Sequence, residues 1–105
     1  MPVQNITDLS DFLTDVLQPG NSIVDFSAGW CGPCKRIAPK FHELSEQWKN
    51  VRFYKVDIDE VPEAAEEYEV QAMPTFILFS NGSEVSRFAG ANIQKLEEEL
   101  QKYFG

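Results

Sequence analysis

Apolar positions along the chain change period several times, and each change marks an element. Leu9, Phe12, Leu13, Val16 and Leu17 recur at helical spacing behind Thr7 and Asp8, either of which can cap the free N–H groups. Pro19-Gly20-Asn21 ends that segment. Residues 22–27 read as a short buried strand in which Ile23, Val24 and Phe26 are apolar and Asp25 is not. Ile37, Phe41, Leu44 and Trp48 predict a second helix, which Pro39 should kink by removing one ladder bond. Residues 51–58 read as a second strand with Val51, Phe53, Val56 and Ile58 apolar. Residues 62–69 are expected to be a short helix with Val61, Ala65 and Tyr68 inward. Thr75–Ser80 is the most β-like run, and Asn81-Gly82 joins it to residues 84–88 as an antiparallel hairpin. Beyond Gly90-Ala91-Asn92, Ile93, Leu96, Leu100 and Tyr103 predict a last amphipathic helix, and Val3–Ile6 a short first strand. The order β-α-β-α-β-α-β-β-α predicts an α/β fold, a central mixed β-sheet flanked by helices, with no repeat or linker.

Composition narrows this reading. At 105 residues the chain is expected to be one domain, 1–105, and 43% hydrophobic with 12% aromatic content is enough to build a core. Nine basic against 17 acidic residues give −8, which argues against nucleic acid or an anionic membrane as partner. The start, Met1-Pro2-Val3-Gln4-Asn5, has no basic n-region and no apolar h-region. The longest unbroken apolar run, residues 76–79, is far short of the roughly 20 residues that cross a bilayer. The expectation is a cytoplasmic protein, although a mature form that had lost its leader would read the same. The chain has two cysteines, so it is no disulfide-stapled scaffold, and its thiols point to chemistry rather than framework.

Those cysteines stand in Trp30-Cys31-Gly32-Pro33-Cys34, at a predicted strand-to-helix junction. There the first thiol meets the free N–H groups and positive dipole end of a helix, which favour a thiolate. The second lies about one turn along, within reach of a disulfide. Gly32 relieves crowding and Pro33 suits a first helical position. Lys35, Arg36 and Lys40 follow with no acid among them. A structural zinc site would need four ligands, which two cysteines and His42 do not supply, so no metal is expected. Two inert core cysteines are the other alternative, against which the Gly-Pro spacer counts.

Asp25 either sits at a solvent-facing strand end or is a buried proton acceptor for the second thiol. Its closeness to the cysteines favours the latter. Lys55 is equally a charge partner for Asp25 or a solvent-facing lysine. Met73-Pro74 opens the third long strand, and its proline is either an ordinary strand-start residue or a cis bond. Residues 57–69 hold seven acids and no base, most simply a solvated face and otherwise a docking patch for a basic partner. His42 reads as a half-exposed structural residue.

Taken together, Val24-Asp25-Phe26, Trp30-Cys31-Gly32-Pro33-Cys34-Lys35, Lys55-Val56-Asp57-Ile58-Asp59, Met73-Pro74-Thr75, Asn81-Gly82 and Gly90-Ala91 resemble the thioredoxin family across essentially the whole chain. The resemblance implies the thioredoxin fold, with Cys31 as attacking thiol, Cys34 as resolving thiol, the two forming the redox disulfide, and Asp25 as buried proton-transfer residue. It implies a cis Pro74 against the cysteines, and a shallow substrate surface framed by Trp30, Gly32, Pro33, Met73, Gly90 and Ala91. Lys55 and Asp59 support the site, Asp59 by steadying the Trp30 ring. Ser27 stands where many bacterial members carry tryptophan, as in eukaryotic cytosolic members, and Ala72 is not the surface thiol some of them have.

The activity implied is protein disulfide reduction by a monomeric electron carrier. NADPH would act through a thioredoxin reductase, and no cofactor would be bound, since the chain has no dinucleotide fingerprint. Peroxiredoxins, ribonucleotide reductase and methionine sulfoxide reductases are the implied substrates. The rivals are an oxidase or isomerase, whose relatives usually carry His where Pro33 stands, and a binding module that docks partners without turnover.

Overall fold

The computed structural model describes residues 3–105; the part of the leader reading that falls on Met1 and Pro2 lies outside them. Five strands, β1 (Val3–Ile6), β2 (Asn21–Ser27), β3 (Val51–Asp57), β4 (Thr75–Ser80) and β5 (Ser83–Ala89), form a sheet in the order β1-β3-β2-β4-β5. β3 runs parallel to β1 and β2, while β4 is antiparallel to both β2 and β5, so the sheet is mixed as expected. The helices are α1 (Leu9–Asp11), α2 (Gly32–Gln47), α3 (Pro62–Glu67) and α4 (Ile93–Phe104).

Alternation along the strands divides the core into two layers. Ile23, Phe53, Phe76 and Leu78 pack with Ile37, Phe41, Leu44, Leu96 and Leu100 beneath α2 and α4. Val24, Phe26, Tyr54, Val56, Ile77 and Phe79 pack on the other face with Phe12, Val16, Val61 and Ala64. Each large side chain so buried stabilises the fold by about 1.5–3 kcal/mol. The same period places Asp25 on the face of Ile23 and Lys55 on the face of Phe53, both toward α2, and the β2–β3 register sets the two directly opposite each other.

Several elements differ in detail from the sequence expectation. The first helix is capped by Asp8, whose Oδ1 accepts from the Asp11 N–H at 2.8 Å, and after Asp11 it continues as a π-helix, Phe12–Val16. Phe12 and Val16 are buried there, and Leu13 is exposed to solvent. β2 starts one residue earlier than expected and β3 ends one earlier, although the Ile58 N–H still donates to the Ser27 carbonyl at 2.9 Å. α2 runs through Pro39 to Gln47, and Trp48 caps its end rather than belonging to it. α3 ends at Glu67, two residues early, where Tyr68 caps it and Glu69 turns to φ +52°. Within α3 the buried alanine is Ala64, with Ala65 only half-buried. In α4, Ile93 and Tyr103 are exposed and Phe104 is buried, because 104 lies one i, i+4 step beyond Leu96 and Leu100. The hairpin turn has positive φ at both Asn81 (50°) and Gly82 (82°), as an Asn-Gly turn between twisted strands requires. β5 is one residue longer at each end than the expected 84–88.

Candidate active site

β2 ends at Ser27, and the chain turns through Ala28-Gly29-Trp30, with the Cys31 N–H donating back to the Ala28 carbonyl at 3.1 Å. This places Cys31 at the N-cap of α2 in an extended conformation, φ −90° and ψ 111°. Its Sγ accepts from the Cys34 N–H at 3.2 Å, so the sulfur does what a serine or aspartate oxygen does at other helix starts. An anion there gains from both that donor and the helix dipole. Pro33 occupies a first-turn position where its missing N–H costs nothing. The cysteines are joined as a disulfide across a Cα–Cα distance of 5.3 Å. Cys31 keeps 5% of its surface and Cys34 only 2%, and both pack with Ala28, Ile58 and Met73.

Around the pair, the sequence-nominated residues fall into three groups. Trp30 lies beside the disulfide with 67% of its surface exposed, and its indole Nε1 donates to Asp59 Oδ2 at 3.0 Å. Gly32 is exposed and Pro33 half-buried. Met73-Pro74 is a cis peptide bond, Met73 is half-buried against the cysteines, and the Pro74 carbonyl accepts from the Gly90 N–H at 2.8 Å. Gly90 has φ +104°, a conformation L side chains rarely adopt. Ala91 is half-buried and packs toward the α2–α4 core layer. Trp30, the cysteines, Met73 and Gly90 are thus gathered at one end of the sheet from three separate loops.

The third group lies beneath α2. Asp25 is 1% exposed and neither carboxylate oxygen has a hydrogen-bond partner. Burial pushes its pKa from 3.8 up to about 7, with Lys55 pulling the other way. Lys55 is half-buried and borders two small cavities. One, of about 190 Å³, is lined also by Cys34, Ser27, Ala28 and Lys35. The other, of about 220 Å³, is lined also by Asp25, Phe41, Asn5 and His42. The larger hollows near Ser45–Tyr54 and Trp48 lie away from the cysteines.

His42 is the residue whose placement the sequence reading misses. It is exposed, as a structural surface residue would be, but it lines the cavity of Asp25. The signal for this is its i, i+4 step from Ala38 along the flank of α2 that meets β3. The acids of residues 57–69 are exposed except Asp57, which is half-buried, in keeping with a solvated face. Among the described residues no cluster of three or more His, Cys, Asp or Glu is arranged to hold a metal.

A family model described as Thioredoxin matches residues 3–102. Thioredoxin-2 of Pyricularia oryzae is 48% identical over 97 residues, covering 92% of this chain but 57% of that protein. The thioredoxin of Ophiophagus hannah is 42% identical over 103 residues, covering 96% of this chain and 98% of its own. A solved Plasmodium falciparum thioredoxin superposes with a TM-score of 0.93 at 43% identity, covering 95% of this chain and 98% of its own. A structure describing thiol resolution in a yeast mitochondrial 1-Cys peroxiredoxin through glutathione and thioredoxin systems matches at TM-score 0.90 and 38% identity, covering 95% and 94%.

Proposed function

The chain belongs to the thioredoxin family, and we propose that Cys31 is its attacking thiol, Cys34 its resolving thiol and Asp25 the acceptor of the Cys34 proton. Members of the family are protein disulfide reductases that work by dithiol–disulfide exchange without a bound cofactor, and this chain has that activity.

The observation that supports the assignment of roles is the asymmetry of the pair. Cys31 Sγ receives the Cys34 N–H and sits at the positive end of α2, where a thiolate is stabilised. Cys34 lies inside the first turn and is the less accessible of the two sulfurs to a partner, 2% exposed against 5%. In the reduced protein the Cys31 thiolate attacks one sulfur of the substrate disulfide. The Cys31–substrate bond forms, the substrate S–S bond breaks, and one substrate thiolate leaves and takes a proton from solvent. Cys34 then gives its proton to Asp25, Lys55 bordering both the cavity that Cys34 lines and the one that Asp25 lines. Its thiolate attacks Cys31 Sγ, closing the disulfide and releasing the second substrate thiolate. Two electrons pass from the cysteine pair to the substrate.

The exposed Trp30 and half-buried Met73 offer apolar surface beside the disulfide for an extended substrate segment, with Gly32, Pro33, Pro74, Gly90 and Ala91 as its frame. NADPH through a thioredoxin reductase is the proposed electron source, and peroxiredoxins are a fitting substrate class, in keeping with the system described for the yeast relative. The cytoplasm is the proposed compartment. The test is coupled turnover: NADPH consumption with a reductase and a protein disulfide substrate. Cys31→Ser should abolish it, and Cys34→Ser should accumulate covalent substrate adducts at Cys31. Unchanged non-covalent binding without adducts would identify a binding module instead.

A further inference from the structure

We infer that Thr75 is a positioning residue for substrate docking: its hydroxyl ties the loop that carries Met73 to the start of β4, and so holds Met73 in place beside the disulfide. The inference rests on the reading of Trp30 and Met73 as the docking surface.

Thr75 is the first residue of β4 and is paired on both sides, opposite Phe26 of β2 and Ala89 of β5. It is 5% exposed, and its Oγ1 donates to the Ala72 carbonyl at 2.5 Å, a strap that spans Met73 and Pro74. A hydroxyl presented by a paired strand is a fixed point. The segment it grips has little else to fix it. On one side the Val70 N–H donates to the Ala65 carbonyl at 2.9 Å, and on the other the Gly90 N–H donates to the Pro74 carbonyl at 2.8 Å. Between those ties, among the described residues, the Thr75–Ala72 bond is the one hydrogen bond made by Gln71, Ala72 or Met73. Gln71 and Ala72 are exposed, so burial does not hold them either.

What the strap holds is the part of the loop that lies at the reacting sulfurs. Met73 is half-buried and packs with Cys31, Cys34, Ala28 and Ile58. The Ala72 carbonyl is taken by Thr75 and the Pro74 carbonyl by Gly90, which leaves the Met73 N–H and carbonyl between them for an extended segment to pair with. A methionine side chain is flexible, so its place beside the cysteines depends on where its backbone is held. A loop fixed before binding spares the complex the entropy of ordering it. Loss of the strap therefore shows as weaker docking and leaves the exchange between sulfurs alone, because Thr75 itself touches neither cysteine cluster nor proton acceptor.

The experiment compares Thr75→Val, which keeps the branched shape and loses the donor, with Thr75→Ser, which keeps the hydroxyl. Coupled turnover of a protein disulfide with the reductase in excess gives KM and kcat, and an isotope-labelled Met73 methyl reports its surroundings by NMR. Thr75→Val should raise KM about fivefold with kcat held, and should shift the Met73 methyl signal. Thr75→Ser should restore both KM and the signal. A wild-type KM for Thr75→Val, a loss that falls on kcat instead, or a Thr75→Ser as impaired as Thr75→Val would overturn the strap. Met73→Ala separates the two readings. If it raises KM while Thr75→Val does not, the docking surface stands and the strap falls, whereas a wild-type KM for Met73→Ala removes the docking role of Met73 and the strap with it.

Discussion

The indole Nε1 of Trp30 donates to Asp59 Oδ2 at 3.0 Å, and the Asp59 N–H is itself held by Asp57 Oδ1 at 2.9 Å. The most exposed aromatic ring beside the disulfide is therefore held in one orientation by the loop that follows β3. Releasing it should cost docking rather than chemistry. For Asp59→Ala, loss of a hydrogen bond of about 1 kcal/mol predicts a KM for protein disulfides raised about fivefold. The rate with a small disulfide, which makes no use of the ring, should be unchanged. Steady-state kinetics on the two substrate types separate these outcomes.

Asp25 sets a pH dependence of stability with a definite sign. Its folded pKa, about 7, lies above the ordinary 3.8, so the folded protein holds a proton that the unfolded chain releases. Stability should fall as pH rises from about 4 to about 7 and level off above that. The gap, at about 1.4 kcal/mol per pH unit, amounts to on the order of 4 kcal/mol. Asp25→Asn, which cannot ionise, should match wild type at acid pH and exceed it at alkaline pH. Urea unfolding across that range tests this, and parallel curves for the two proteins would refute it.

Gly82 is fixed by its turn. It has φ +82°, and a Cβ there would lie 2.7 Å from the Leu17 carbonyl oxygen, a backbone atom that cannot swing aside. Gly82→Ala should lose about 1–3 kcal/mol. A Cβ at Gly29 would meet no atom within 4 Å, and its φ is not positive, so Gly29→Ala should stay within about 0.5 kcal/mol. Denaturant midpoints measured side by side distinguish the two glycines.

Arg87 ties the edge strand to the end of α3. Its guanidinium bonds both Glu84 oxygens at 2.6 and 2.7 Å and donates through Nη1 to the Tyr68 carbonyl at 2.7 Å. The ion pair is partly solvated, so Arg87→Gln should cost only about 1 kcal/mol overall. The effect should be local, with faster amide hydrogen exchange in α3 and none in β2. Equal protection of α3 in both proteins would show the tether to be idle.

The parts of the molecule legible in the sequence are those that local chemistry decides. Cys31-Gly32-Pro33-Cys34 encodes a helix start, Asn81-Gly82 encodes a turn, and the apolar run of β4 encodes a buried strand. What is not legible depends on neighbours distant in sequence. Nothing in Phe12–Val16 distinguishes a π-turn from an α-turn, since both bury Phe12 and Val16. Tyr103 and Phe104 are both aromatic, and only the line set by Leu96 and Leu100 selects the second. From sequence, Lys55 is equally a solvent-facing lysine or a partner of Asp25, because the choice depends on the β2–β3 register, a pairing 30 residues apart along the chain. His42 reads as surface for the same reason: the cavity it lines exists only once β1, β2 and β3 are side by side.

The sheet order β1-β3-β2-β4-β5 has a consequence for the moment at which the protein becomes active. Both cysteines have left the ribosome once residue 34 has emerged, yet what surrounds them comes later. Lys55 and Asp59 arrive with and after β3, Met73 and Pro74 at the start of β4, and Gly90 after β5. A partly synthesised chain therefore has both cysteines without the register that buries Asp25 or the loops that shape the docking surface. The complete site is therefore assembled only when nearly every element of the sheet is in place.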